Sequence, residues 1–363
     1  MGLLELPHEL LVLIADHLGN ASLNSLCRVN RQLHNLLSHS LYQRSVQQQD
    51  SHVLQWAAIH GRIDTLKKAL QYGADVNTTA PIDGPALPDG FERRCSRELL
   101  FPLMSDATPD KTLRRNFCLV EGLAPPLVIA SGAGYTELVE TLLQHGARVD
   151  MTGSYGLTPL MAAASAGHTE VMEILLAGGA DAMLKRDGWG FTALDQAAMG
   201  GHTAAVGVLL RDADQSCLWD NAVAYAAEHG YIEMVRMFLD AGADVEATYA
   251  RASLGLPLIF WATEGDHPDV VRLLLERGED IECRDLTTAT PLIHAGRAGS
   301  RKVCEMLLQR GADVHARDDD GHSTLYWARG RLQTEIVEML LKYGAEAEAE
   351  PSPNPESDYI MSV

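Results

Sequence analysis

The sequence predicts an all-α solenoid of helix–turn–helix repeats with hairpin loops between them, preceded by a small three-helix domain. Three observations lead there. Gly146–Ala147 and Gly179–Ala180 lie 33 residues apart, and Gly278, Gly311 and Gly344 follow one another at the same interval. The stretch Gly156–Asp181 reads as one complete unit of two short helices. Residues 1–45 carry a helical apolar pattern that the 33-residue lattice does not contain. A fixed period in this range marks a stack of units, each too small to bury its own apolar face.

The unit at 156–181 shows how one repeat is built. Thr158 is placed to cap a helix, and Pro159 suits the first helical position, where its missing N–H costs nothing. Leu160, Ala163 and Ala164 form an apolar stripe at helical spacing, and Gly167 breaks that helix. Val171, Ile174 and Leu175 make a second stripe, which Gly178–Gly179 ends. The elements Gly156-Leu-Thr-Pro-Leu160, Gly167-His168 and Gly179-Ala-Asp181 resemble the ankyrin pattern, so the resemblance implies an ankyrin-repeat solenoid. By the same resemblance, hairpin tips and first helices line a groove that binds protein partners.

Along the chain, the first helix of residues 1–45 opens at Pro7 and sets Leu6, Leu10, Ile14 and Leu18 on one face. Gly19-Asn20 stops it. Ser22 caps a second helix carrying Leu23, Leu26 and Cys27, and Asn30 starts a third with Leu33, Leu36 and Leu37. Forty residues cannot hold a large core, so part of this surface docks on something. The series Leu6-Pro-His-Glu-Leu-Leu-Val-Leu-Ile14, Leu18, Ser22-Leu23, Leu26, Val29, Asn30-Arg31 and Leu33 resembles an F-box. Leu33 departs from the aromatic that many members carry there. The resemblance implies binding to the Skp-type adaptor of a cullin-RING ubiquitin ligase through Leu6, Pro7, Leu10, Ile14, Leu18, Leu26 and Val29. The other reading is a plain helical cap over the first repeat.

Residues 51–79 form a degenerate first repeat without the Thr-Pro opening, and residues 80–123 break the spacing as an inserted loop. Its Arg93, Arg94 and Arg97 suit either an acidic partner or simple solvation. Residues 124–346 hold about seven repeats, beginning at 124, 156, 186, 219, 255, 288 and 321. The fourth carries a hairpin tip at Asp187-Gly-Trp-Gly-Phe-Thr192. The steps into the fifth and sixth depart from 33, which predicts altered stacking or hairpin length there. Residues 347–363 are acidic and proline-rich at first, and read as a disordered tail.

The formal charge is −20, from 29 basic and 49 acidic residues, which disfavours nucleic acid as a partner. No run of about 18 apolar residues suggests a membrane span. The first basic residue is Arg28, which argues against a targeting leader. Six scattered cysteines point to free thiols in the cytoplasm or nucleus rather than a disulfide framework.

No catalytic residue, metal or cofactor is expected. Ser131-Gly132-Ala133-Gly134 lacks the third glycine and the preceding strand of a dinucleotide loop. His168 and His202 recur with the lattice and read as turn residues, as do Asp181, Asp244 and Asp313. Large side chains at variable positions are the candidates for target binding: Trp189, Phe191, Trp219, Tyr249, Arg251, Trp261, Tyr326 and Trp327. Trp261 and Trp327 share a repeat position with Trp56, so the alternative for them is packing between repeats. The layout, similar to that of F-box and ankyrin proteins numerous in fungi, implies an adaptor that presents a target protein for ubiquitylation. A ligase-independent scaffold, such as a co-regulator or inhibitor, is the alternative.

Overall fold

The computed structural model describes residues 52–79, 124–153, 156–186, 190–211, 220–245, 248–251 and 254–346. The helices expected in 1–45, the insertion at 80–123 and the tail at 347–363 lie outside these. The chain divides into two compact units, residues 1–208 and 209–363.

Helix–turn–helix pairs make up nearly all of the described chain. In the first unit they are α1 (His52–Ile59) with α2 (Ile63–Gln71), α3 (Pro126–Gly132) with α4 (Thr136–Gln144), α5 (Pro159–Ala166) with α6 (Thr169–Ala177), and α7 (Ala193–Met199) with α8 (Thr203–Leu210), which runs across the division. The second unit holds α9 (Asp220–Glu228) with α10 (Ile232–Asp240), α11 (Leu258–Glu264) with α12 (Pro268–Glu276), α13 (Pro291–Ala298) with α14 (Arg301–Gln309), and α15 (Thr324–Gly330) with α16 (Thr334–Lys342). Helices of seven to nine residues are marginal in water, so stacking rather than propensity holds them.

The two helices of a pair differ because their neighbours differ. In the first unit α1, α3, α5 and α7 stack in line, and in the second unit α9, α11, α13 and α15 do the same. In the first unit α5 lies between α3 and α7, so it is buried from Pro159 through Ser165. Its Ala and Leu side chains allow that close approach. The second helices have one outer side in water and bury a single stripe, Val171, Met172 and Leu175 in α6.

Local chemistry sets the helix starts. Thr158 Oγ1 accepts from Met161 N at 3.2 Å and Thr290 does the same for Ile293, each followed by proline at the first turn. Thr192 and Asp195 form a reciprocal capping box at α7.

A second device joins the repeats. At four of the described turns after a first helix, a glycine with positive φ lies under a ring from the next repeat. Tyr135 covers Gly61, His168 covers Gly134 and His202 covers Gly167 in the first unit, and His267 covers Gly230 in the second. A Cβ at Gly167 would stand 2.6 Å from His202 Nδ1. Nε2 of His202 meanwhile donates to the Ser165 carbonyl at 3.0 Å.

The irregular step before the sixth repeat is an antiparallel hairpin of β1 (Thr248–Arg251) and β2 (Leu254–Pro257), pairing Thr248 with Pro257 and Arg251 with Leu254. Extra residues at the repeat boundary are absorbed as a β-ladder, which satisfies their backbone groups, while α11 still stacks on α9 and α13.

Candidate functional site

The described surface that departs most from bare scaffolding is the pair of hairpin tips in repeats seven and eight, with the first helices beneath them. Asp285 organises the first tip. Its Oδ1 accepts from Thr287 N at 2.8 Å, Thr287 Oγ1 at 2.7 Å and Ala289 N at 2.9 Å. Its Oδ2 faces Arg297 Nη2 at 3.4 Å, and both side chains are buried. The Arg297 guanidinium lies over the Trp327 ring, 5.7 Å from its centroid. Trp327 Nε1 donates to Asp318 Oδ2 at 2.8 Å, and Asp318 Oδ1 accepts from His322 N at 2.8 Å.

One carboxylate–guanidinium–indole–carboxylate path therefore ties the two tips together. Backbone contacts reinforce it: Arg284 Nη1 donates to the carbonyls of Thr288 at 2.6 Å and Arg317 at 3.0 Å, and Asp319 N donates to the Thr287 carbonyl at 3.2 Å. On this frame Leu286 stands 81% exposed at the tip. A loop held by its own hydrogen bonds loses little entropy when a partner docks, so this arrangement is suited to recognition.

The residues expected to bind a target have diverse placements. Trp189 and Trp219 lie outside the described residues. Phe191 is half-buried, and its carbonyl accepts from Arg186 N at 2.7 Å, closing the fourth tip. Tyr249 and Arg251 belong to β1, opposite Leu256 and Leu254. Tyr326 is half-buried and stacks on His322 with ring centroids 3.8 Å apart.

Trp261 and Trp327 are 5% and 8% exposed, so the alternative reading of packing within the array describes them better than a groove contact does. Trp327 belongs to a core cluster with Ala289, Ile293 and Ala316. Leu286 was not among the expected residues. Its one sequence signal is an apolar side chain immediately after the aspartate that opens a tip.

The motifs read as structural are used in that way. Gly134 takes φ 75° in the turn after α3, under the His168 ring. Asp181 and Asp313 accept from the backbone N–H two residues on, at 2.8 and 2.9 Å, within their own turns. Burial pushes the Cys304 thiol up to about 12, with Asp266 adding to it. Burial also raises the Cys283 thiol, together with Glu279. Neither sulfur is a thiolate at neutral pH. Among the described residues no cluster of His, Cys, Asp and Glu is arranged to hold a metal ion, and no helix is long and apolar enough to cross a membrane.

Comparison with known proteins adds the following. The family model described as ankyrin repeats (3 copies) matches residues 97–186, 179–249, 225–318 and 258–351. The first of these begins inside the segment expected to be an insertion. An F-box-like family model matches residues 3–48. No curated protein matches the chain. Among solved structures, the human ASB11 ankyrin repeat domain is similar with a TM-score of 0.54 at 24% identity, over 62% of this chain and 99% of that one. That likeness is one of fold.

Proposed function

Because this chain belongs to the ankyrin-repeat family and carries an F-box-like domain ahead of its repeats, we propose that it is a substrate-recognition adaptor of an SCF-type ubiquitin ligase. The pairing of these two modules in one chain is the observation that carries the reading. The apolar face made by Leu6, Pro7, Leu10, Ile14, Leu18, Leu26 and Val29 binds the Skp-type adaptor. The repeats bind the target protein, with Leu286, Phe191 and Tyr326 as contacts together with Trp189, Trp219, Tyr249 and Arg251. Trp261 and Trp327 support that surface from below.

The mechanism is tethering. A target held on the repeats is at high effective concentration near the ubiquitin that the ligase transfers, and the chain supplies no reacting group of its own. The scattered cysteines are consistent with a nuclear or cytoplasmic setting, where thiols stay reduced.

Capture from a eukaryotic lysate tests the first half. Wild-type chain is expected to recover the Skp-type adaptor, whereas Leu6→Asp or Ile14→Asp reduces recovery at least tenfold, since either places a carboxylate in an apolar contact. Equal recovery by wild type and variant would overturn the assignment.

A further inference from the structure

Asp285 and Asp318 hold the tips of repeats seven and eight in the same way. Oδ1 of each accepts from the backbone N–H four residues on, Ala289 at 2.9 Å and His322 at 2.8 Å. The tips differ in what stands between. Repeat seven has Thr287, whose hydroxyl also donates to Asp285 Oδ1, at 2.7 Å. Repeat eight has Asp320 in that register, and an ionised carboxylate has no hydrogen to donate. A negative group at this place is therefore compatible with a folded tip, but not with the bond that Thr287 makes.

Thr287 joins the surface to the interior. The capping residues Thr158, Thr192 and Thr290 are buried, whereas Thr287 is exposed. Yet its hydroxyl is bonded to a carboxylate that is itself buried against Arg297. Its carbonyl also accepts from Asp319 N of the neighbouring tip. A chemical change at this one accessible oxygen thus acts on the path that ties the two tips together. Thr287 lies in the connection between α12 and α13, so it can be drawn out without unwinding a helix. Arg284 stands exposed three residues ahead of it, and a cation so placed is a charge that basic-directed protein kinases read in a substrate.

We propose that Thr287 is a phosphorylation site and that its modification releases the tip of repeat seven. The γ-phosphoryl group of ATP passes to Thr287 Oγ1. The bond from the γ-phosphorus to the bridging oxygen breaks, a P–O bond to Oγ1 forms, the hydroxyl proton goes to the kinase's base, and ADP leaves. Phosphothreonine lacks the hydrogen that Asp285 Oδ1 accepted, and it sets close to two negative charges beside that carboxylate. Repulsion parts the two groups. Asp285 Oδ1 keeps Ala289 N, the same bond that Asp318 keeps with His322 N beside Asp320. Leu286, between Asp285 and Thr287, loses its fixed position and gains a dianion next to it. On the reading that Leu286 contacts the target, phosphorylation lowers target affinity; the modification itself does not rest on that reading.

Two measurements on the full chain test this without the ligase or a target. The first treats the chain with ATP and the catalytic subunit of cyclic-AMP-dependent protein kinase, and locates phosphate by mass spectrometry. Phosphate is expected on Thr287, and Thr287→Ser should be labelled at the same place. Arg284→Ala should slow labelling at least tenfold, although it removes the bonds from Arg284 that hold the tip closed. The second measures hydrogen exchange in chain given phosphothreonine at 287 during translation. Amides of residues 286–289 should exchange about tenfold faster than in the unmodified chain, with those of α13 unchanged. Absence of phosphate from Thr287, or equal labelling of wild type and Arg284→Ala, would overturn the site. Exchange that is unchanged or slower would overturn the release, because Arg284 would then have captured the phosphate and tightened the tip.

Discussion

At the residue scale, His294 occupies the place held by Trp261 and Trp327 in the neighbouring repeats, and it is buried edge-on to Phe260 with ring centroids 5.4 Å apart. Its Nδ1 makes no hydrogen bond. Desolvation, with the Arg297 charge beside it, lowers its pKa from 6.5 to about 4. Between those values the unfolded chain binds a proton that the folded chain refuses. This contribution to stability is therefore complete above pH 6.5 and is lost as pH falls towards 4, by ~3 kcal/mol. Burial lowers His168, His229 and His267 in the same direction. The urea midpoint of unfolding should drop between pH 7 and pH 4.5, and His294→Leu should flatten the part of that drop arising in the second unit. An unchanged pH profile in His294→Leu would remove this account. The structure sets His294 on α13, and its burial depends on Phe260 and Arg297 packed around it.

At the scale of the element, the join between repeats is a ring over a glycine, and two glycines separate its two ingredients. Gly167 and Gly179 both have positive φ, 74° and 87°. A Cβ at Gly179 meets nothing within 4 Å, whereas at Gly167 it meets the His202 ring. Gly179→Ala should therefore cost only the conformational penalty, about 1 kcal/mol, and Gly167→Ala that penalty plus displacement of the ring, ~2–4 kcal/mol. Denaturant unfolding of the two variants checks the difference, and equal costs would mean that the ring contact contributes nothing. The glycines, the cap at Thr158 and the helix–turn–helix build of the repeat were legible, because turn and cap chemistry is local; the equivalent cap at Thr290 appears only in the structure. The β1–β2 ladder was legible only as a departure from the 33-residue spacing. A register shift shows that the chain has surplus residues, but not which backbone groups pair.

For the whole molecule, the proposed division of labour between the F-box-like domain at residues 3–48 and the ankyrin repeats predicts separable losses. Removing residues 1–45 should abolish target ubiquitylation while proximity labelling by the repeats continues to mark the same target. A ligase-independent scaffold would instead retain its full cellular effect without those residues. The acidic balance of the chain does not decide between these readings, since either partner is a protein.

The sequence by itself determined the repeat architecture, the two helices of the 156–181 unit and the F-box resemblance, since period, caps and apolar spacing are properties of short stretches. Only the tertiary structure decided that Trp261 and Trp327 are interior, that Asp285, Arg297, Trp327 and Asp318 form one path, and that Leu286 and Leu332 stand exposed. Burial and pairing join residues across a repeat boundary, so each depends on which side chain the next repeat places opposite, and a periodic pattern carries no record of that.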